Sequence, residues 1–324
     1  MKRVGWLAGL LLALLLVIAA GWFAWGWYGG SAIDEDTAFI VPSGSTLTAI
    51  AEKLQAEEHI GSADAFLLRA KVLGSADPIQ AGEFLLPAGT SAAGILDTFQ
   101  HGQVVRRFVT IPEGWPSIMV HERLMAEELL TGDIPVPAEG SLLPESYDFE
   151  RGESRAAVVA RMTQAMDEAL AQAWASRTQN IAVSSTREAL VLASIVEKET
   201  GVPRERRMVA GLYSNRLKQG MMLQADPTII YPITRGKPLG RRIRQSEIRA
   251  VNGYNTYAMA GLPDGPITNP GRASIEAVLN PAETDAIYMV ADGTGGHAFA
   301  STLDGHNANV AKWFALRRQR GELD

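Results

Sequence analysis

Residues 4–28 contain no charged side chain and no proline. As a helix rising about 1.5 Å per residue, this run spans about 37 Å, more than the roughly 30 Å of a bilayer's hydrocarbon core. It therefore predicts a membrane-crossing helix. Lys2 and Arg3 precede it, and Asp34, Glu35 and Asp36 follow it. The positive-inside rule then puts the N-terminus in the cytoplasm and everything after residue 28 outside. Trp22, Phe23, Trp25, Trp27 and Tyr28 form an aromatic belt at the outer interface. Small residues at Ala19, Ala20 and Gly21 leave a cleaved signal peptide as the competing reading; the length of the run and its aromatic end favour an anchor. Either way the remaining chain is exported.

Composition narrows the chemistry of that exported part. There is no cysteine, which excludes a disulfide scaffold, a zinc ribbon, an iron–sulfur cluster and a thiol nucleophile. The net charge of −6 argues against a nucleic-acid partner, which needs a clustered basic face. No HExxH, GxSxG, P-loop or SxxK motif occurs, and His121-Glu122 lacks the second histidine of a zincin. Gly293, Gly295 and Gly296 read as a hairpin loop and do not match the dinucleotide fingerprint. Neither a metal nor a cofactor is expected.

Beyond the run, residues 29–37 read as a short acidic tether. A strand over 38–41, helices over 47–54 and 63–72 and a strand over 83–86 follow in β-α-α-β order, which looks like a small LysM module; Gly44-Ser45-Thr46-Leu47, Ile50, Ala51 and Leu54 carry that likeness. A Pro-x-Gly junction recurs at Pro42, Pro87 and Pro112, each between strand-like and helix-like residues, and predicts three strand-turn-helix units with Ser45, Thr46, Thr90 and Ser117 as N-caps. Helices are expected over 95–99, 118–130, 155–178, 186–200, 204–219 and 273–279, then two strands around 292–296 and a terminal helix. Residues 235–249 form a loop with six basic residues against one Glu, a solvated face or a clamp for substrate carboxylates.

The helix over 186–200 is the most informative. Ser185-Thr186-Arg187-Glu188 opens it as a capping box, and Gly201 and Pro203 close it. Residues 189–196 are apolar except Ser194, so the helix is greasy nearly all round and must be buried. At about 100° per residue, Glu197 falls on the stripe of Leu190, Ala193 and Ser194, with Glu199 about 160° away. Burial of a carboxylate favours its protonated form unless a cation is close, and a protonated carboxyl is what a general acid needs. The alternative is that Glu197 pairs with Arg187, Lys198 or Arg204 and is purely structural.

Leu192-Ala193-Ser194-Ile195-Val196-Glu197-Lys198-Glu199-Thr200, Leu223-Gln224-Ala225-Asp226-Pro227-Thr228, Tyr254-Asn255-Thr256-Tyr257, Gly261-Leu262-Pro263 and Ile267-Thr268-Asn269-Pro270-Gly271 occur in that order. Together they closely resemble the endolytic murein transglycosylases of the MltG (YceG-like) family. The resemblance extends over Ile111-Pro112-Glu113-Gly114, Leu143-Pro144-Glu145-Ser146-Tyr147 and Gly295-Gly296-His297, with Glu145 where the family often has Asp and Asp264 where it often has Pro. It implies a bacterial inner-membrane lytic transglycosylase that cuts nascent peptidoglycan strands between MurNAc and GlcNAc, leaving a 1,6-anhydro end. Glu197 is the matching acid, then base. It also implies association with cell-wall synthases (penicillin-binding proteins) and termination of strand elongation.

Gln224, Asp226, Thr228, Asn255, Tyr257, Asn269, Glu145 and His297 are the expected sugar-holding residues, each of which could equally be a turn or cap. Asn269-Pro270-Gly271 in particular is strong turn chemistry. The fold class expected is α+β: an N-terminal transmembrane helix in 1–30, a LysM-like glycan-binding module in 31–108 and a mixed α+β catalytic domain in 109–324. A non-catalytic glycan-binding scaffold, and a hydrolytic muramidase using Glu197 with Asp226 or Glu145, are the competing functions.

Overall fold

The computed structural model describes residues 2–30 and 32–322, and side chains from Trp6 onward; the outermost residues of the expected first and last domains, and Ser31 of the expected tether, lie outside the described residues. The chain divides into two compact units, Met1–Arg107 and Phe108–Asp324. The whole is mixed α and β, with three two-stranded sheets among the described residues.

The first unit opens with α1 (Lys2–Tyr28), of which Trp6–Tyr28 is long and apolar enough to cross a membrane. β1 (Thr37–Val41) and β2 (Gly82–Leu86) pair antiparallel, Phe39 opposite Phe84, and enclose α2 (Leu47–Ala56) and α3 (Ala63–Leu73) in sequence; α4 (Ala92–His101) follows. Alternation along β1 sends Phe39 and Val41 inward, where they meet Ile50, Leu54, Phe84, Leu86 and Phe99 in one apolar core. The expected tether is not a free linker. Trp27 and Ile33 are buried in that same core, the Gly89 amide donates to the Ile33 carbonyl at 2.8 Å, and the Ala88 amide donates to Asp36 Oδ1 at 2.9 Å. Its polar composition concealed one apolar residue, Ile33, that docks in the core beside Trp27 from the end of α1.

In the second unit β3 (Arg106–Thr110) pairs with β4 (Ser146–Glu150). α5 (Ser117–Met125) ends earlier than expected, because the apolar residues beyond it, including buried Leu130, pack from a turn. The core of the unit is α6 (Arg155–Ala175), α7 (Thr186–Glu199), α8 (Arg206–Lys218) and α11 (Arg272–Leu279). α8 is preceded by a single 3-10 turn, Pro203–Glu205, so the helix expected from 204 begins later. β5 (Tyr288–Ala291) and β6 (His297–Ala300) form an antiparallel hairpin, followed by α12 (Leu303–Gln319). Two helices were not foreseen: α9 (Asp226–Thr234), which tolerates Pro227 in its first turn and carries Pro232 inside, and α10 (Gln245–Ile248). Proline is acceptable where a helix leaves its N–H groups unpaired, so Pro227 opens α9 although it reads as punctuation.

All three Pro-x-Gly junctions join a strand to a helix, with Gly44, Gly89 and Gly114 at φ of 76°, 79° and 74°. Thr46 caps α2 as expected. At the second junction Ser91, not Thr90, supplies the cap; at the third Pro116 occupies the cap position and Ser117 lies inside the helix, its hydroxyl donating to the Ala138 carbonyl.

Candidate active site

α7 is capped by Ser185, whose Oγ accepts from the Glu188 amide, and its residues Val191–Val196 are all buried. With 191–196 buried all round, the carboxylates that follow are carried toward protein, and Glu197 and Glu199 arrive in different surroundings.

Glu197 points at the start of α11. Its Oε2 accepts from the Gly271 amide at 3.0 Å and from Ser274 Oγ at 2.7 Å, and Arg206 Nη2 lies 3.7 Å from Oε1. These contacts cap the first turn of α11, where the exposed amides and helix dipole favour a negative charge. The side chain is only 6% exposed. Glu113 shares Arg206 at 3.6 Å; burial and then repulsion from Glu197 raise its proton affinity, with Arg206 opposing. A Cβ on Gly271 would stand 1.9 Å from Glu113 Oε1, so the two loops meet closer than any side chain permits. The cation beside Glu197 is Arg206, not the expected Arg187, Lys198 or Arg204, and the Glu197 Oε2 is engaged as a cap.

Glu199, the last residue of α7, faces a cavity of about 370 Å³ lined also by Lys198, Tyr213, Arg216, Gln224, Asp226, Tyr257 and His297. Burial pushes its pKa up to about 7, and the charge of Asp226 pushes the same way; a hydrogen bond with Tyr213 and the charge of Arg216 oppose them. The negative end of the α7 dipole adds to the cost of ionisation there. Tyr257 Oη donates to Asp226 Oδ1 at 2.7 Å across the cavity. His297 donates its amide to Glu205 Oε1 at 3.2 Å, and its Nδ1 lies 3.0 Å from Glu205 Oε2, so the ring is held in one orientation beside the cavity.

The expected sugar-holding residues separate into two groups. Gln224, Asp226, Tyr257 and His297 converge on the Glu199 cavity. Thr228, Asn255 and Asn269 are fully buried, with side chains committed to protein. Thr228 Oγ1 donates to the Ala225 carbonyl and shares a 2.8 Å hydrogen bond with Thr256 Oγ1, which itself accepts from the Ala225 amide. With the Gln224 amide donating to the Thr256 carbonyl, these bonds zip 224–226 onto 256–257 and bring Asp226 to Tyr257. Gln224 pays for that path with a left-handed φ of 53°.

Asn255 Nδ2 donates to the carbonyls of Ile248 and Ala250, fastening the basic loop, while its Oδ1 accepts from the Tyr257 amide. Asn269 bridges the Leu142 amide, the Trp115 carbonyl and Ser117 Oγ. Glu145 lies outside the cavity, paired with Arg272 at 2.8 Å. In the basic loop Arg241 pairs with Glu247, and Lys237 reaches Glu122.

The model of the YceG-like family matches residues 39–312. An endolytic murein transglycosylase of Bacillus subtilis (strain 168) is 28% identical over 312 residues, covering 86% of this chain and 85% of that protein. The endolytic murein transglycosylase of Streptococcus pneumoniae serotype 2 is 27% identical over 93% of this chain, which spans 64% of the streptococcal protein. A crystal structure of a YceG-like protein from Listeria monocytogenes, 27% identical, superposes with a TM-score of 0.52 and covers 85% of this chain and 99% of that one. With most of its length matched, the chain belongs to the YceG-like family.

Proposed function

We propose that this protein is a membrane-anchored endolytic lytic transglycosylase of peptidoglycan, and that Glu199, not Glu197, is its acid and base. The observation that carries the assignment is the Glu199 cavity: a carboxyl whose pKa is pushed up to about 7 beside four of the polar residues expected to hold sugars. A group titrating near neutrality can give a proton and take one back in the same cycle.

In the first step the Glu199 carboxyl protonates the glycosidic oxygen between MurNAc and GlcNAc as the C1–O bond breaks. Asp226, held by the Tyr257 hydroxyl, faces the positive charge that develops on the sugar. In the second step the MurNAc C6 hydroxyl attacks C1, the anhydro ring closes, and its proton returns to the Glu199 carboxylate. No water is consumed and the enzyme is regenerated. Gln224, Tyr257 and His297 hold the sugars, while Thr228, Asn255 and Asn269 set the loops that carry them. Ordinary glycosidases need a second carboxylate to activate water or attack the sugar; here Asp226 serves electrostatically.

An N-terminal helix long and apolar enough to cross a membrane, with Lys2 and Arg3 before it, supports a second unit that works outside the cytoplasmic membrane. Peptidoglycan synthases as partners, a LysM-like role for 31–108 and termination of strand growth complete the reading. Incubating the protein and its Glu199→Gln form with uncrosslinked glycan tests it, with new ends examined by mass spectrometry. Anhydro ends lost in the variant support the proposal. Reducing ends would make the enzyme a hydrolytic muramidase; no cleavage by the native chain would make it a glycan-binding scaffold.

A further inference from the structure

We propose that the first unit docks on the bilayer itself, with the C-terminal half of α3 entering the interfacial layer and Arg69 seated among the headgroups of acidic phospholipids. The proposal is independent of the catalytic reading and starts from the end of α1. Arg69 Nε donates to the Phe23 carbonyl at 3.1 Å, and its guanidinium lies over the Phe23 ring, 5.5 Å from the centroid. A Cβ on Gly26 would stand 2.4 Å from Arg69 Nη2, so the guanidinium lies flush on the helix at a residue without a side chain. Below it Trp27, 2% exposed, stacks at a tilt on Phe66 of α3, with ring centroids 5.5 Å apart. The anchor is thus fastened to α3 and not loosely tied to it.

Phe23 and Gly26 lie within about 8 Å, along the helix axis, of the end of the apolar span at Tyr28. An arginine pinned at that height stands in the headgroup region of any bilayer that α1 crosses. Its stem can lie against apolar surface while its charge faces lipid phosphate.

The direction of α3 follows from the same contacts. Its cap Ser62 and its first-turn residue Ala65 line a cavity of about 240 Å³ with Gly26 and Gly30, whereas Arg69, a turn later, reaches back to Phe23. α3 therefore descends alongside α1 toward the membrane. Its descending half carries Leu68, 55% exposed, and Val72, 62% exposed, with exposed Lys71 between them. At about 100° per residue Val72 lies within about 60° of Arg69 and about 20° of Ala65, on the side of α3 that faces the anchor. An apolar pair one turn apart beside Arg and Lys suits a helix end that enters a membrane interface, with its apolar side chains toward the acyl boundary and its cations at the headgroups. What covers Leu68 and Val72 is the bilayer that α1 already occupies.

The natural chain has no cysteine, so single labels are readily placed. The full-length chain carrying Leu68→Cys, Val72→Cys or, as a water-facing control, Glu52→Cys is spin-labelled and reconstituted in vesicles of phosphatidylethanolamine and phosphatidylglycerol. Relaxation by oxygen is compared with relaxation by a water-soluble nickel chelate. Labels at 68 and 72 are expected to favour oxygen and the label at 52 nickel. Adding Arg69→Gln, or replacing the phosphatidylglycerol with phosphatidylcholine, is expected to remove most of the oxygen preference at 68. Water-like accessibility at 68 and 72 in the otherwise native chain overturns the docking. A preference unchanged by both Arg69→Gln and lipid charge overturns the role given to Arg69.

Discussion

Glu197 and Glu199 leave α7 about 160° apart. One is consumed as a cap, by the Gly271 amide and Ser274 Oγ, while the other ends in a polar cavity with its pKa pushed up to about 7. A capping carboxylate is most useful immobile, whereas a general acid must hold a proton and release it. The proposed roles are divided between residues two apart in sequence.

Conservative substitutions separate the two. Glu199→Gln is expected to lower the rate of anhydro-end formation by about 100-fold or more, with the chain still folded, because the acid and base are lost together. Glu197→Gln keeps the shape but weakens the cap and leaves Arg206 less well paired. A stability loss of about 1–3 kcal/mol is expected, with near-native turnover per folded molecule. Thermal unfolding and rates normalised to the folded fraction check both; normal turnover in Glu199→Gln would return the acid role to Glu197.

The raised proton affinity of Glu199 fixes the direction of the pH–rate profile. The acid must be protonated in the free enzyme, so kcat/KM should fall as pH rises through about 7. The charge of Asp226 is one cause of the shift, so Asp226→Asn should move this break to lower pH while also lowering the plateau. Initial rates between pH 5 and 9 decide the matter.

The same group links stability to pH. The folded chain keeps the Glu199 proton up to about pH 7, whereas an unfolded Glu releases it near the ordinary value of 4.5. Its contribution is fully present below pH 4.5 and is lost as pH rises to about 7. Glu199→Gln does not titrate. The variant should therefore gain on the native chain across that window, by up to about 3 kcal/mol. Denaturant unfolding of both forms at pH 5 and pH 8 measures the difference.

Gly296 sits against Glu205, and a Cβ there would lie 2.2 Å from Oε1, the atom that accepts from the His297 amide. Gly296→Ala should displace the carboxylate and free the His297 ring. Glu205→Gln should weaken the same hold. Each is expected to raise KM for glycan several-fold, and the double variant should cost less than the sum because both act on one contact. Steady-state kinetics on the three variants provides the check.

Much of the scaffold was legible locally. The apolar run, the capped helix at Ser185, the strands of the N-terminal module and the three Pro-x-Gly junctions follow from dihedral preferences and periodicity, which the chain carries residue by residue. α9 was not, because Asp226-Pro227 reads as a turn until the bonds of Thr228 and Thr256 hold it as a helix start. Helical periodicity narrows the acid to α7 and points to Glu197, whereas the cavity and the raised proton affinity favour Glu199 as the proposed acid. Periodicity singles out one stripe, but with 191–196 buried all round, a position on that stripe does not rank the two carboxylates. One signal for Glu199 was present: a Glu as the last residue of a helix sits at the negative end of the dipole, where a charge is disfavoured and a proton retained.

The sequence by itself determined that one N-terminal helix is long and apolar enough to cross a membrane, that no thiol chemistry is available, and that α7 carries carboxylates into an apolar surrounding. Those conclusions rest on composition and on short-range geometry. Only the tertiary structure distinguishes the surroundings of the two carboxylates, and with them the one proposed as the acid. That choice depends on what lies across from each: the amides and hydroxyl of α11 for Glu197, and Asp226, Tyr213 and Arg216 around a cavity for Glu199. These partners are distant along the chain, and electrostatic environment is set by neighbours in space.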